Sequence, residues 1–231
     1  MDRILFQNET CLVINKLKGE AAQGVAKDTT GKIVNLPKTL VSSFPNKEII
    51  QAVNRIDVPV TGCVLFAFDK KSLSFLYSVF AGEYEKKAEK IYWAIVEKPE
   101  KQPPAEGELV HFIETNTRNN KTFVYTEETP ERKKAVLRYR ITGEGTNYLF
   151  MRIQLISGRH HQIRAQLAFI GLHIKGDVKY GARRNEKDGG IRLHARSLSF
   201  PNPAKKDELI YVEADPPQMD NLWQAFADAS H

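Results

Sequence analysis

Apolar runs in this chain are short and recur often, which is typical of strands. Apolar or alternating segments predict strands at 11–16, 62–68, 91–96, 109–113, 121–126, 135–141, 148–156 and 193–200. Helices are predicted after Asp69, over 158–170 and over 219–229, where helical spacing or end signals are present. Residues 19–47 show neither pattern and are expected to be loop. Many strands and few helices favour an α+β fold with a mixed, mainly antiparallel central sheet and flanking helices.

Composition places the chain among soluble globular proteins. Hydrophobic residues make up 42% and charged residues 27% of the 231 positions. No apolar stretch approaches the ~18 residues of a membrane helix, and the apolar run near the N-terminus is too short for a secretory signal. We therefore expect a cytoplasmic protein, one domain over residues 1–231, no membrane partner and a monomer. Two cysteines suggest neither a disulfide scaffold nor a zinc site.

The charge balance points to a polyanionic partner. The formal net charge is +6, and nucleic acid is the commonest partner of such a basic protein. A solvated basic surface without a partner is an equally good explanation of the charge alone.

The segment Val53–Gly62 is the first candidate for chemistry. Arg55 and Asp57 lie two residues apart, just before a turn marked by Pro59 and Gly62 and then a strand predicted to be buried on both faces. A charge at the start of a buried strand is costly unless it is paired or used. Asp57 is therefore a candidate functional carboxylate.

Two further side chains could serve the same site. Arg164 lies at the edge of the apolar stripe of the predicted 158–170 helix and cannot lose its charge, so it needs a carboxylate. Asp57 is one candidate partner, and any other acidic residue in a structural ion pair is the alternative. Tyr92 lies on a predicted core face, where packing is the usual role of a tyrosine.

Hydrolase and metal chemistry find little support in the pattern. His160, His161, His173 and His194 lack the spacing of known zinc sites. Ser157 lacks a G-x-S-x-G elbow, and its simpler role is to cap the helix that follows. We expect no bound metal. A hydrolase that uses Ser157 or a histidine-bound metal is kept as an alternative from another class.

Several blocks, in order, resemble the RluA-type RNA pseudouridine synthases. These are 12–16 (LVINK), 54–62 (NRIDVPVTG), 90–94 (KIYWA), 158–164 (GRHHQIR), 175–181 (KGDVKYG) and 193–195 (LHA). They are similar to the family's NKP strand, H-R-L-D-x-x-T-S-G signature, K-x-Y-x-A block, G-R-T-H-Q-I-R…G-D-x-x-Y-G segment and closing L-H-A strand. Each block is weak alone, and their order makes the resemblance specific.

The resemblance implies an isomerase that converts uridine to pseudouridine within structured RNA, either tRNA or rRNA, without a cofactor. It implies that Asp57 is the catalytic carboxylate, that Tyr92 contacts the target base and that Arg164 pairs with Asp57. Arg55 would fill the gap left by the flipped uridine. The other RNA-binding residues would be Asn54, Arg159, His161, Arg183 and Arg184. No separate S4 RNA-binding domain is expected.

The chain departs from the family pattern at four positions. Asn54 replaces His, Val60 replaces Thr, His160 replaces Thr, and Gln166 stands where His is frequent. A catalytically silent RNA-binding protein of the same fold is therefore the main alternative, although Asp57, Tyr92 and Arg164 are all retained.

Overall fold

A computed structural model describes residues 3–24 and 33–229. Its strands are β1 (Ile4–Gln7), β2 (Cys11–Lys16), β3 (Glu20–Ala21), β4 (Val34–Asn35), β5 (Gln51–Ala52), β6 (Thr61–Ala67), β7 (Glu89–Glu97), β8 (Glu106–Asn116), β9 (Lys121–Tyr125), β10 (Lys133–Glu144), β11 (Tyr148–Leu155), β12 (Leu193–Pro201) and β13 (Leu209–Glu213). Its helices are α1 (Leu36–Ser43), α2 (Lys70–Ala81), α3 (Gln162–Phe169) and α4 (Asn221–Ala229), with a 3₁₀ turn at Val178–Tyr180.

The chain forms two compact units. The first unit combines Met1–Lys90 with Ala195–Pro217, and the second combines Ile91–His194 with Gln218–His231. The chain passes from one unit to the other three times: within β7, within β12, and between Pro217 and Gln218, ahead of α4. That one catalytic domain covers residues 1–231 stays a prediction.

The first unit is built on antiparallel strands with an apolar core. β2 pairs with both β1 and β6, β5 also pairs with β6, and β13 pairs with β12. Leu65 and Phe200 from these strands and Leu76 from α2 are among the buried core residues. Asp69 caps α2 by accepting a hydrogen bond from the Ser72 N–H at 2.7 Å, as its sequence position predicts.

The second unit has a five-stranded antiparallel sheet in the order β7-β11-β10-β8-β9. α4 covers part of it, since Phe226 stacks on Trp93 with ring centroids 4.7 Å apart and on Phe150 at 5.4 Å. The α+β class with a mainly antiparallel sheet is thus confirmed.

Several elements were missed by the sequence pattern, namely β1, β3, β4, β5, β13 and α1. Residues 19–47 were expected to be loop, but they contain β3, β4 and α1, while 25–32 lie outside the described residues. Asn35 caps α1 by accepting a 3.2 Å hydrogen bond from the Lys38 N–H, and Pro37 lies in the first turn. The start of α1 is therefore specified by its cap and its proline rather than by a repeated spacing of apolar residues. β13 alternates exposed and buried positions over its five residues and was not predicted.

The start of α3 also differs from the prediction. It begins at Gln162 because His161 has a left-handed backbone with φ of 49°. Ser157 is not its cap. The Ser157 hydroxyl accepts a hydrogen bond from the Val136 N–H at 2.8 Å and donates one to Gln162 Oε1 at 2.9 Å, so the serine fastens the start of α3 to β10.

Within residues 3–24 and 33–229, none of the helices has the length and apolar character needed to cross a membrane. The same residues contain no cluster of three or more His, Cys, Asp or Glu side chains that could hold a metal ion.

Candidate active site

In the first unit, the segment that carries Asp57 is fastened to β6 by Asn54. The Asn54 side chain accepts a hydrogen bond from the Leu65 N–H at 2.8 Å and donates one to the Cys63 carbonyl at 3.2 Å. The Asp57 carbonyl then accepts from the Val60 N–H at 3.0 Å, which closes a tight turn. Asp57 itself is half-buried. Asn54, predicted to contact RNA, therefore also serves to hold the loop.

A buried lysine supports this loop and was missed as a site residue. Lys16, at the end of β2, is fully buried and donates to the carbonyls of Leu17 at 2.8 Å, Glu20 at 2.9 Å and Val58 at 3.2 Å. Burial lowers the pKa of Lys16 to about 8, and the nearby carboxylates of Glu20 and Asp57 partly oppose that shift. A lysine at the end of a mostly apolar strand was the available signal, because a buried charge needs hydrogen-bonding partners.

The backbone around Gly62 explains why the 54–62 signature ends in glycine. Its φ is +114°, and a Cβ at this position would fall on the Ala195 carbonyl oxygen and lie 2.7 Å from the Ala195 nitrogen. The backbone of β12 thus passes directly against the first residues of β6, where a side chain has no room. The loop that bears Asp57 is positioned by this contact.

In the second unit, Arg164 has a partner other than the one that the sequence suggested. Its guanidinium makes a bidentate ion pair with Asp177, with Nε–Oδ2 at 2.7 Å and Nη2–Oδ1 at 2.8 Å. Both side chains are buried. The structural ion pair that was held open as an alternative is therefore present, and the pairing of Arg164 with Asp57 stays a prediction.

Tyr180 packs beside this ion pair. The Arg164 guanidinium carbon lies 5.0 Å from the centre of the Tyr180 ring, and burial raises the pKa of the Tyr180 phenol. Asp177 and Tyr180 both come from the 175–181 block, to which no role had been given. The Asp-x-x-Tyr spacing around the 3₁₀ turn was the signal that was available for them.

Two adjacent histidines complete the cluster. The His160 and His161 rings stack with centroids 3.8 Å apart and an angle of 23° between their planes. His161 Nδ1 lies 2.9 Å from the Tyr180 hydroxyl, which also accepts from the Thr122 N–H at 2.8 Å. His161, predicted to contact RNA, is buried in this network.

The remaining predicted residues fall into a buried tyrosine and four exposed arginines. Tyr92 is buried in β7 opposite Ile153 of β11. The exposed side chains are Arg55, Arg159, Arg183 and Arg184. Arg55 donates to Gln23 Oε1 at 3.2 Å, and Arg183 Nε lies 3.7 Å from Glu97 Oε2.

Comparison with known proteins identifies the family. The family model described as RNA pseudouridylate synthase matches residues 10–169. The chain belongs to this family. The prediction of its enzyme class, an isomerase that acts on RNA, is confirmed at the level of the family.

Individual members of the RNA pseudouridylate synthase family resemble the chain over most of its length. The RNA pseudouridine synthase YjbO of Bacillus subtilis is 27% identical, with 95% of this chain and 74% of the relative covered. The ribosomal large subunit pseudouridine synthase C of Vibrio cholerae is 26% identical over 89% of this chain, which spans 63% of that relative. The fold is that of the human RNA pseudouridylate synthase domain containing 4, with a TM-score of 0.72, 22% identity and coverage of 99% and 93%.

Proposed function

We propose that the protein isomerises uridine to pseudouridine in structured RNA, with Asp57 as the nucleophile. The match of the family model, which includes the Asn54–Gly62 signature, is the observation that carries this proposal. Asp57 also lies in a half-buried turn held by Asn54 and Lys16, so its carboxylate is presented by a fixed loop.

In the proposed reaction, the Asp57 carboxylate bonds to the ribose C1′ as the C1′–N1 bond breaks, and N1 keeps the electron pair. The uracil then turns, and C5 bonds to C1′ as the bond to Asp57 breaks. C5 loses its proton to solvent and N1 gains one, so substrate and product have the same composition. A carboxylate that attacks a sugar carbon follows the logic of retaining glycosidases.

The other residues take supporting roles in this proposal. Arg164 keeps Asp57 ionised, Tyr92 contacts the target base, and Arg55 occupies the place of the flipped uridine. A base inside a stack cannot be reached without flipping, which costs a few kcal/mol. A cationic side chain in the vacancy offsets part of that cost. No step calls for a cofactor.

Large-subunit rRNA is the substrate that we propose to test first, because the Vibrio cholerae relative bears that substrate in its name. RNA labelled with tritium at uridine C5 should release tritium with the wild-type protein and not with Asp57→Asn. A tRNA transcript run in parallel decides between the two RNA classes. RNA binding without release from any RNA would refute the proposal in favour of the catalytically silent alternative.

A further inference from the structure

The stacked histidines form a rigid aromatic surface that the reaction as described does not use. One face of the His160 ring is covered by His161. The Nδ1 edge of His160 lies 3.2 Å from the Thr122 hydroxyl, which also donates to the His160 carbonyl at 2.9 Å. His160 is nevertheless partly exposed. The residue is thus reachable from solvent while His161 and Thr122 orient its ring.

The orientation of this surface is fixed by its surroundings. His161 has a positive φ of 49°, which is uncommon for a residue with a side chain. The strained backbone is held by the hydrogen bond to Tyr180, the tyrosine that Arg164 also contacts. Such strain persists only where the surrounding structure determines it, and it is concentrated at functional sites. A pre-oriented ring loses little conformational freedom when it binds a ligand.

The surroundings of the stack suit a nucleic acid. Lys121 Nζ lies 5.5 Å from the Tyr180 ring, and Arg159, the residue before His160, is exposed. Aromatic faces bordered by cations bind single-stranded nucleic acid, because bases stack on the rings while phosphates meet the cations. The threonine that the family has at this position offers no ring to stack on.

We propose that His160 stacks on an unpaired nucleobase of the bound RNA. This inference rests on the proposed function for the identity of the RNA. It adds a substrate-binding residue that is a feature of this chain, since it depends on the exchange of threonine for histidine at position 160.

Three variants at position 160 separate stacking from hydrogen bonding. His160→Phe keeps a ring but loses the contact of Nδ1 with Thr122, whereas His160→Thr and His160→Ala lose the ring. Loss of one stacked base is expected to raise KM about tenfold. We expect this rise for the threonine and alanine variants with little change in kcat, and a KM within about twofold of wild type for phenylalanine. If the phenylalanine variant had a KM as high as that of the alanine variant, the proposal would be overturned. The hydrogen bond of His160, rather than stacking on its ring, would then account for the lost affinity.

Nuclear magnetic resonance measures the chemical shift of the His160 ring, which RNA binding would not change in a ring-current direction if His160 had only a structural role. The Asp57→Asn protein is titrated with a single-stranded oligoribonucleotide of about twelve nucleotides that contains uridine, and separately with heparin, a polyanion without bases. The His160 Cε1–H signal is assigned by its loss in His160→Phe. An upfield ring-current shift with RNA but not with heparin supports stacking. Equal shifts with both, or none with RNA, would overturn it.

The two proposals can fail separately. Absence of tritium release from every RNA, with the ring-current shift retained, would refute the proposed function and leave the stacking. Normal KM values for His160→Thr and His160→Ala alongside normal turnover would refute the stacking and leave the function.

Discussion

At the scale of single residues, Lys16 links the core of the first unit to the loop that bears Asp57. Its ammonium group donates to three backbone carbonyls, one of them the Val58 carbonyl next to Asp57. A buried cation is tolerated only with such partners. Burial disfavours the charged form of Lys16 and so lowers its pKa to about 8 from the ordinary value of 10.5.

This shift predicts a pH dependence of stability. Because the folded-state pKa is depressed, the unfolded chain binds more protons between about pH 8 and pH 10.5, so the Lys16 contribution to stability rises with pH. Between pH 7.5 and pH 10 the gain is about 2 kcal/mol. It should appear as a growing difference in urea-unfolding free energy between wild type and Lys16→Met, in which other titrations cancel. A difference that stays constant across this range would contradict the assignment.

Arg164 and Asp177 form a buried ion pair in the second unit. Removing one partner of such a pair leaves an uncompensated buried charge and costs about 3 kcal/mol. Asp177→Asn should therefore lower the free energy of unfolding by about that amount, as measured by urea denaturation. The matched control is Asp207→Asn, which removes an exposed carboxylate 3.3 Å from Lys86 and should leave stability close to wild type. Equal stabilities of the two variants would contradict the role given to Asp177.

At the scale of elements, the approach of β12 to Gly62 determines how the Asp57 loop joins β6. A methyl group there would meet backbone atoms of Ala195, which cannot move aside as a flexible side chain can. We expect Gly62→Ala to cost about 4 kcal/mol, from strain at positive φ and from overpacking.

Gly82 provides the control for this prediction. It also has a positive φ, of +81°, but a Cβ there would meet only the end of the Lys87 side chain at 3.9 Å. Gly82→Ala should cost only about 1 kcal/mol, the price of a left-handed backbone. Thermal unfolding of both variants measures the difference, and similar losses would show that Gly62 is not held by β12.

Elements with strong periodicity were predictable from the sequence, and locally specified ones were not. β6, α2 and β7 follow from apolar runs and a capping aspartate. α1 was missed because its signal is a cap and a proline rather than a repeated apolar spacing. The start of α3 was misplaced because the positive φ of His161 is stabilised by Tyr180, which is distant in sequence.

The candidate site was predictable only in part, for a related reason. Asp57 and Arg164 stand out as charges beside apolar runs, so the sequence alone marks them. Asp177 is one acidic residue among many, and only the fold shows that it receives the Arg164 guanidinium. Lys16 carried a weaker signal, as a lysine that ends a mostly apolar strand, and only the fold shows which carbonyls receive its ammonium group.

At the scale of the whole molecule, the net charge of +6 and the exposed arginines predict salt-dependent RNA binding. Three phosphate contacts, one for each of Arg159, Arg183 and Arg184, give a slope of about −2 in log affinity against log salt for single-stranded RNA. Affinity should then fall about 20-fold between 50 and 200 mM salt.

Paired variants test which charges are used. Replacing Arg183 and Arg184 by Ala should make the slope shallower by about 1.4. The matched control replaces Lys70 and Lys71, an exposed pair in α2, by Ala and should leave the slope unchanged. Fluorescence anisotropy with labelled RNA provides the affinities. An unchanged slope in the arginine variant would remove these residues from the RNA interface.

The most direct test of the central claim is to count product against released tritium. Large-subunit rRNA labelled at uridine C5 is incubated with wild type and with Asp57→Asn, digested to nucleosides and separated by chromatography. Isomerisation predicts one pseudouridine for every tritium released, no free uracil, and neither product with the Asp57 variant. Free uracil, or equal activity of the two proteins, would contradict an Asp57-dependent pseudouridine synthase.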